Sequence, residues 1–111
     1  MNNLTSRRWH SDASYLPLPA RYSMLLSYVV PAVGGQTQFA DMRAAYDQLP
    51  THLRAVVEDL DCHYDIMQSR AAAGFYDFPD EERKALAPCI HKLVRTHPIS
   101  GRKSLYLSSH A

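Results

Sequence analysis

Residues 9–42 read WHSDASYLPLPARYSMLLSYVVPAVGGQTQFADM and give the strongest indication of the fold. Within them, residues 24–30 are densely apolar and partly β-branched, and the run stops at Pro31, which predicts a buried strand. The Gly-Gly pair at 34–35 predicts a turn, and residues 37–39 predict a short strand behind it. This stretch therefore favours a core built of β-strands.

The spacing of apolar residues becomes helical after this stretch. Apolar residues recur at i, i+3, i+4 and i+7 in residues 42–49 and again in residues 53–60, which predicts two short helices. Asp41 and Thr51 are placed to cap them. We expect a helical insertion at roughly residues 41–87.

The pattern changes once more near the end of that insertion. The acidic residues 80–82 predict the start of a third helical turn. Residues 90–94 and 104–107 predict strands, separated by a turn at 98–101. Strands, then helices, then strands predict an α+β domain or a β-core with a helical insertion. A closed barrel or sandwich needs more strands than these, so we expect an incomplete core.

Length and composition limit the classes of protein that this chain can belong to. Its 111 residues suffice for one small domain, and 46% apolar with 21% charged residues is ordinary for a globular protein. A net charge of +1 gives no electrostatic reason to expect nucleic acid or an anionic membrane as partner. The N-terminus has no apolar segment typical of a secretion signal. Cys62 and Cys89 do not make a disulfide framework, so a reducing, cytoplasmic location is expected.

The triplet His10-Ser11-Asp12 is the sharpest candidate for chemistry. On an extended segment, residues i and i+2 project from the same face. An imidazole and a carboxylate so placed can bind one metal ion, as in the facial triad of two histidines and one carboxylate that holds non-haem iron(II). By itself, however, such a triplet more often belongs to a solvated loop than to an iron site.

Four longer motifs narrow the choice: WHSD at 9–12, GGQTQFADM at 34–42, AAYDQLP at 44–50 and LVRTHPISGRKSLYLSSHA at 93–111. Together they resemble the family of taurine dioxygenase and chlorophenoxyacetate dioxygenase, which are iron(II)- and alpha-ketoglutarate-dependent enzymes on a double-stranded β-helix (jelly-roll) core. The resemblance implies that residues 1–111 form a single, partial dioxygenase domain. The expected fold class is α+β, with an incomplete jelly-roll core and a helical insertion.

The resemblance also implies roles for individual residues. His10 and Asp12 match the first two iron ligands, and no catalytic residue is expected beyond the metal ligands. Thr37 matches the threonine that hydrogen-bonds the distal carboxylate of the co-substrate alpha-ketoglutarate, although its spacing alone favours an ordinary strand residue after a turn. Trp9 is either a wall of the iron pocket or a core aromatic residue.

The reaction that the resemblance implies is the hydroxylation of a small organic acid by O2, with release of succinate and CO2. The sequences MRAAYD at 42–47 and YLSSHA at 106–111 resemble the chlorophenoxyacetate-like branch of the family. Residues 4–8, which carry a substrate contact in the family, do not resemble the taurine enzyme. No nucleic acid or membrane partner is expected, and a homo-oligomeric full-length form stays open.

Two functional residues of the family have no match in this sequence: the third iron ligand, a histidine, and an arginine that pairs with alpha-ketoglutarate. His91, His97 and His110 occupy other motifs, and His97 is interpreted as a structural residue of a His-Pro turn. In the insertion, His63 and Arg70 are less favoured candidates for substrate contact. His52 fits a solvated helix start.

Two alternatives follow from these observations. The chain could be a truncated, catalytically inactive form of such an enzyme, and a jelly-roll cut in half would expose strand edges and aggregate or need a partner. A structural zinc module is the other alternative. Its only compact ligands, Cys62, His63, Cys89 and His91, do not have the spacing of a known zinc finger.

Overall fold

A computed structural model describes residues 8–109. Most of segment 4–8, which was compared above with the taurine enzyme, and His110 lie outside these residues. The described part of the chain has four helices, α1 (Met42–Asp47), α2 (Thr51–Val57), α3 (Ile66–Ala72) and α4 (Asp80–Ala85). It also has four strands, β1 (Asp61–Tyr64), β2 (Cys89–Lys92), β3 (Val94–Thr96) and β4 (Lys103–Leu105). Helices and strands thus occur together, as the prediction of an α+β protein requires.

Strands β1 and β2 form an antiparallel pair with two different faces. Cys62 lies opposite His91, and Tyr64 lies opposite Cys89. Because side chains alternate along a strand, these four share one face, on which Tyr64 is fully buried. The other face is exposed and carries an ion pair between Lys92 Nζ and Asp61 Oδ1 at 2.8 Å.

Strands β3 and β4 form a second antiparallel pair, with Val94 opposite Leu105. The single strand predicted at 90–94 is thus divided at Leu93, which is buried and joins neither pair. The Leu93 backbone links its neighbours instead: its N–H donates to Leu60 O at 3.0 Å, and its C=O accepts from Tyr106 N at 2.6 Å. The predicted turn at 98–101 connects β3 to β4.

The predicted helices are present, with one correction to their caps. The Asp41 side chain accepts from the backbone N–H groups of Arg43 and Ala44 and caps α1 as expected. At α2 the predicted cap Thr51 is wrong, because Pro50 holds the N-cap position and Thr51 is the first helical residue.

The insertion at residues 41–87 is more varied than predicted, since it contains strand β1 and a helix, α3, that the apolar spacing did not indicate. The Asp65 side chain caps α3 by accepting from Met67 N at 2.9 Å and Gln68 N at 3.0 Å. The Asp-x-x-Gln sequence of a capping box was a usable signal for this helix. The third helix predicted at Asp80 is present as α4.

Helix α1 packs on β4 through Tyr46, which is buried. Its hydroxyl donates to Glu58 Oε1, and Lys103 Nζ of β4 lies 2.6 Å from both oxygens of the same carboxylate. These contacts connect α1, the end of α2 and β4. The hydrogen bond from Lys103, followed by that from Tyr46, lowers the pKa of Glu58.

Residues 20–41 lie in neither a helix nor a strand, and every one of them is exposed. The predicted buried strand at 24–30 and the short strand at 37–39 are therefore wrong for the chain as described: Met24 is 94% and Tyr28 90% exposed. A strand requires a hydrogen-bonded neighbour, and no other part of residues 8–109 pairs with this segment. The structure has a bend at residues 32–33, just before the predicted Gly-Gly turn, and φ is positive at both glycines, 79° at Gly34 and 73° at Gly35.

Among residues 8–109, no helix is long and apolar enough to cross a membrane.

Candidate metal centre

His10 and Asp12 converge as the triplet predicts. His10 Nε2 lies 3.4 Å from Asp12 Oδ1, and the other ring nitrogen, Nδ1, lies 2.8 Å from the backbone oxygen of Arg8. A carbonyl oxygen can only accept, so Nδ1 carries the hydrogen and Nε2 is the nitrogen that faces the carboxylate. Metal-binding histidines have this arrangement, in which a backbone carbonyl fixes the tautomer of the ring.

The separation of the two donor atoms suits a shared cation. Two ligands at about 2.1 Å from one ion and at right angles to it lie about 3.0 Å apart, close to the observed distance. A nitrogen lone pair and a carboxylate oxygen repel each other unless a proton or a metal ion lies between them. His10 and Asp12 therefore fit two adjacent positions of an iron(II) site.

The described residues do not complete that site. Within residues 8–109, no group of three or more histidine, cysteine, aspartate or glutamate side chains is arranged to hold a metal ion. His91 lies on the β1–β2 pair, where Nε2 is 2.9 Å from Leu16 O, and His97 lies in the turn before β4. His63 points to the opposite face of that pair from Cys62, Cys89 and His91, so these four side chains cannot surround one zinc ion.

Thr37 makes no hydrogen bond to either candidate ligand among residues 8–109. It is exposed on the extended segment. The backbone conformation at position 35 requires glycine, because a Cβ atom there would lie 3.0 Å from Cγ of Pro31 and φ is positive. The role of Thr37 stays a prediction.

Other candidate residues have structural partners. Trp9 is 58% exposed, so its side chain is not part of a core in the described chain. His97 Nδ1 accepts from the backbone N–H groups of Ile99 and Ser100, at 3.3 and 3.2 Å, which agrees with its interpretation as a turn residue. Arg70 donates to Glu82 Oε1 at 2.6 Å, which commits its guanidinium to α4.

An open cleft lies between residues 18–22 and residues 95–99. Arg21 and Arg95 line it, and the Arg95 guanidinium stacks 4.3 Å from the ring centre of Tyr106. His10, Asp12 and Thr37 are not among its lining residues. The cleft is thus separate from the candidate metal ligands.

Comparison with known proteins assigns the chain to a family. A sequence model of the taurine catabolism dioxygenase TauD, TfdA family matches residues 1–111, the whole chain. The chain belongs to this family. The resemblance inferred from the motifs is confirmed.

A curated member of the TauD, TfdA family is the alpha-ketoglutarate-dependent 2,4-dichlorophenoxyacetate dioxygenase of Cupriavidus pinatubonensis, 45% identical over 111 residues. The match covers 100% of this chain and 39% of that relative. The chain thus spans about two fifths of the length of the family member it matches.

Two solved structures of the TauD, TfdA type have the same fold over this region. A candidate alpha-ketoglutarate dependent 2,4-D dioxygenase from Burkholderia xenovorans is 90% identical, with a TM-score of 0.95, and covers 99% of this chain and 43% of its own. AAD-2 in complex with Mn(II) and N-oxalylglycine is 53% identical, with a TM-score of 0.85, and covers 93% of this chain and 41% of its own.

Sequence reasoning missed the residues that hold the family's WHSD segment in place. Ser14 is fully buried, and its hydroxyl lies 3.2 Å from that of Ser108. From β2, His91 and Cys89 contact the backbone directly after this segment, at Leu16 and Ser14. These contacts join residues far apart in the chain, and no local pattern marks them.

Proposed function

We propose that this chain supplies the first two iron ligands of an iron(II)- and alpha-ketoglutarate-dependent dioxygenase that hydroxylates a small organic acid. The observation that carries the proposal is the pairing of His10 Nε2 with Asp12 Oδ1 at 3.4 Å, with Nδ1 tied to a backbone carbonyl. Family membership supports the assignment of the ion as iron(II). The complex of AAD-2 with Mn(II) and N-oxalylglycine supports a divalent metal and a 2-oxoacid co-substrate.

In this proposal each residue has a distinct task. Asp12 offsets one positive charge of the ion, and His10 adds a neutral nitrogen, so that other positions stay open for co-substrate and oxygen. The Thr37 hydroxyl donates to the distal carboxylate of alpha-ketoglutarate and orients it. Iron(II) and alpha-ketoglutarate, when bound, supply the oxidative decarboxylation that releases succinate and CO2 and drives hydroxylation.

The substrate that we favour is an aryloxy acid of the 2,4-dichlorophenoxyacetate type. The 45% identity to an enzyme named for that substrate supports this class. Taurine is not favoured.

We also propose that residues 24–30 become a strand of the jelly-roll core where further strands of the domain pair with them. Their side chains are apolar and exposed, and their backbone lies in no ladder among residues 8–109. Such a segment is stable in water only when another strand covers it.

The test measures succinate formed from alpha-ketoglutarate, iron(II) and O2 by the complete protein encoded by the reading frame that contains this chain. We expect succinate formation to depend on 2,4-dichlorophenoxyacetate and to exceed that with taurine. His10→Ala and Asp12→Ala should each reduce the rate by at least about 100-fold, because a lost ligand disrupts the metal site. His52→Ala, at the exposed start of α2, is the matched control. Full activity of His10→Ala would refute the proposal.

The alternative is that the 111 residues alone are an inactive form. The absence of a third metal ligand near His10 and Asp12 within residues 8–109 favours it. The 111-residue chain should then form no succinate above the background of free iron(II), whereas the complete protein does. Turnover by the chain alone would reject this alternative.

A further inference from the structure

The segment that carries His10 and Asp12 is fastened to the rest of the chain on both sides of these residues. Before His10, the backbone oxygen of Trp9 accepts a hydrogen bond from Ser109 N at 2.9 Å. After Asp12, the Ser14 hydroxyl lies 3.2 Å from the Ser108 hydroxyl. Ser14 is fully buried, so water cannot replace this contact at low cost.

A second fastening comes from β2. His91 Nε2 lies 2.9 Å from the backbone oxygen of Leu16, which can only accept, so Nε2 carries the hydrogen. The thiol of Cys89 donates to Ser14 O at 3.8 Å, and its sulfur lies 3.5 Å from the same Nε2. Burial raises the pKa of Cys89, which keeps the thiol protonated as this donation requires.

The His91 ring is itself fixed. It meets the rings of Tyr64 and Tyr106 edge-on, with centroids 5.4 and 5.5 Å away. Tyr64 is fully buried, and its hydroxyl donates to Tyr106 O. A donor on such a ring holds a defined position.

Ala13 lies between the candidate ligand Asp12 and the buried Ser14, and its backbone is strained. Ala13 has φ of 57°, the only positive φ of a non-glycine residue among residues 8–109. This conformation is unfavourable for a residue with a Cβ atom, and it persists only where its surroundings hold it. Two turn hydrogen bonds surround it, from Ser14 N to Ser11 O at 3.3 Å and from Leu16 N to Ala13 O at 3.1 Å.

We propose that His91 and Ser14 are positioning residues that hold the turn at Ala13 and thereby fix the placement of Asp12 beside His10. The role rests on the proposed function, since it concerns these two residues as metal ligands. If Ala13 relaxed to negative φ, the backbone would rotate directly after Asp12 and move its carboxylate. Ligand geometry tolerates a displacement of only about 0.5 Å. Neither His91 nor Ser14 touches the metal.

The experiment titrates the metal-free complete protein with Mn(II) in the presence of alpha-ketoglutarate and measures binding by calorimetry. His91→Ala and Ser14→Ala should each weaken Mn(II) binding by about 10-fold, the effect typical of residues that orient a ligand. His91→Gln should restore binding to within about threefold of the wild type, because its side-chain amide presents an N–H to Leu16 O. His52→Ala should bind as the wild type does.

A second measurement needs no metal. Hydrogen exchange of the amides in residues 9–16 should be faster in His91→Ala than in the wild type and in His52→Ala, because the turn opens more often. Ser14→Ala provides the same test if His91→Ala does not fold.

The outcomes separate the two proposals. If the wild type binds Mn(II) and both His91→Ala and Ser14→Ala bind it equally well, the positioning role is overturned and the proposed function stands. If the wild type binds no Mn(II), the proposed function fails and the positioning role fails with it. Weaker binding that His91→Gln rescues supports the positioning role.

Discussion

Residues 8–16 and residues 24–30 are close in sequence, yet their environments are opposite. The first segment is rich in polar residues, and its Ser14 is fully buried against Ser108. The second is almost entirely apolar, and its side chains are exposed. Composition alone would have assigned these environments the other way round. Burial depends on whether a partner is available: a serine with a matching hydroxyl can be buried, and a leucine without a covering strand cannot.

The largest loss of stability is expected when Tyr64, the buried aromatic residue that contacts His91 behind the first segment, is removed. Tyr64→Ala should lower the free energy of unfolding by about 3–5 kcal/mol in the 111-residue chain and in the complete protein, as for other large buried aromatic residues, because its fully buried side chain leaves a cavity beside His91. Denaturant unfolding gives the value.

Tyr28→Ala is the matched control for this change, since Tyr28 is 90% exposed. It should shift the unfolding of the 111-residue chain by less than about 0.5 kcal/mol. A cost in the complete protein similar to that of Tyr64→Ala would identify Tyr28 as covered there and would support the proposed strand at 24–30. If both variants lowered the free energy of unfolding of the 111-residue chain equally, the difference in burial between Tyr64 and Tyr28 would be contradicted.

The exposed residues 24–30 should also affect association between copies of the chain. The 111-residue chain should self-associate as its concentration rises, because residues 24–30 present a continuous apolar surface with unpaired backbone. The double variant Leu26→Lys and Val30→Lys should shift light scattering after size exclusion toward the monomer. A wild-type chain that is monomeric and melts cooperatively would count against this view.

A smaller effect is expected at Gly35, two residues before Thr37. Gly35→Ala should cost about 1–2 kcal/mol through its positive φ and should also raise the KM for alpha-ketoglutarate several-fold, since the new Cβ atom meets Pro31 at 3.0 Å. Gly74→Ala is matched for strain, with φ of 90° and no atom within 4 Å of its Cβ position. If both variants leave the KM unchanged, the predicted role of Thr37 loses its support.

The smallest effect is expected for the stability of the folded chain in acid, through Glu58. The pKa of Glu58 is lowered in the folded chain by the hydrogen bonds from Lys103 and Tyr46. Its contribution to stability is therefore present above the ordinary value of 4.5 and is lost as the pH falls through the lower folded value. Melting temperatures between pH 6 and pH 3 should fall less steeply for Glu58→Gln than for the wild type.

The exposed loop residue Asp77 gives the control, because Asp77→Asn should leave the slope of melting temperature against pH as in the wild type. An unchanged slope in Glu58→Gln would show that the contact with Lys103 does not contribute to acid stability.

Helix α1 and the pair His10–Asp12 illustrate what could be predicted from the sequence. The Asp41 cap, the helical spacing behind it and the i, i+2 placement of an imidazole and a carboxylate act over a few residues, and short-range geometry decides them. The cap of α2 was misplaced by one residue, since Pro50 and Thr51 are both acceptable at a helix start. Helix α3 was missed because its capping signal at Asp65 lacks an accompanying apolar period.

The amino-acid sequence by itself determined the family, the paired candidate ligands and most helix positions, because motifs and caps are properties of neighbouring residues. Only the tertiary structure decided that Ser14 is buried, that His91 holds the backbone at Leu16, and that residues 24–30 lie exposed. These outcomes depend on groups many residues apart in the chain. A hydrogen bond or a covering strand exists only when folding brings its second half into reach.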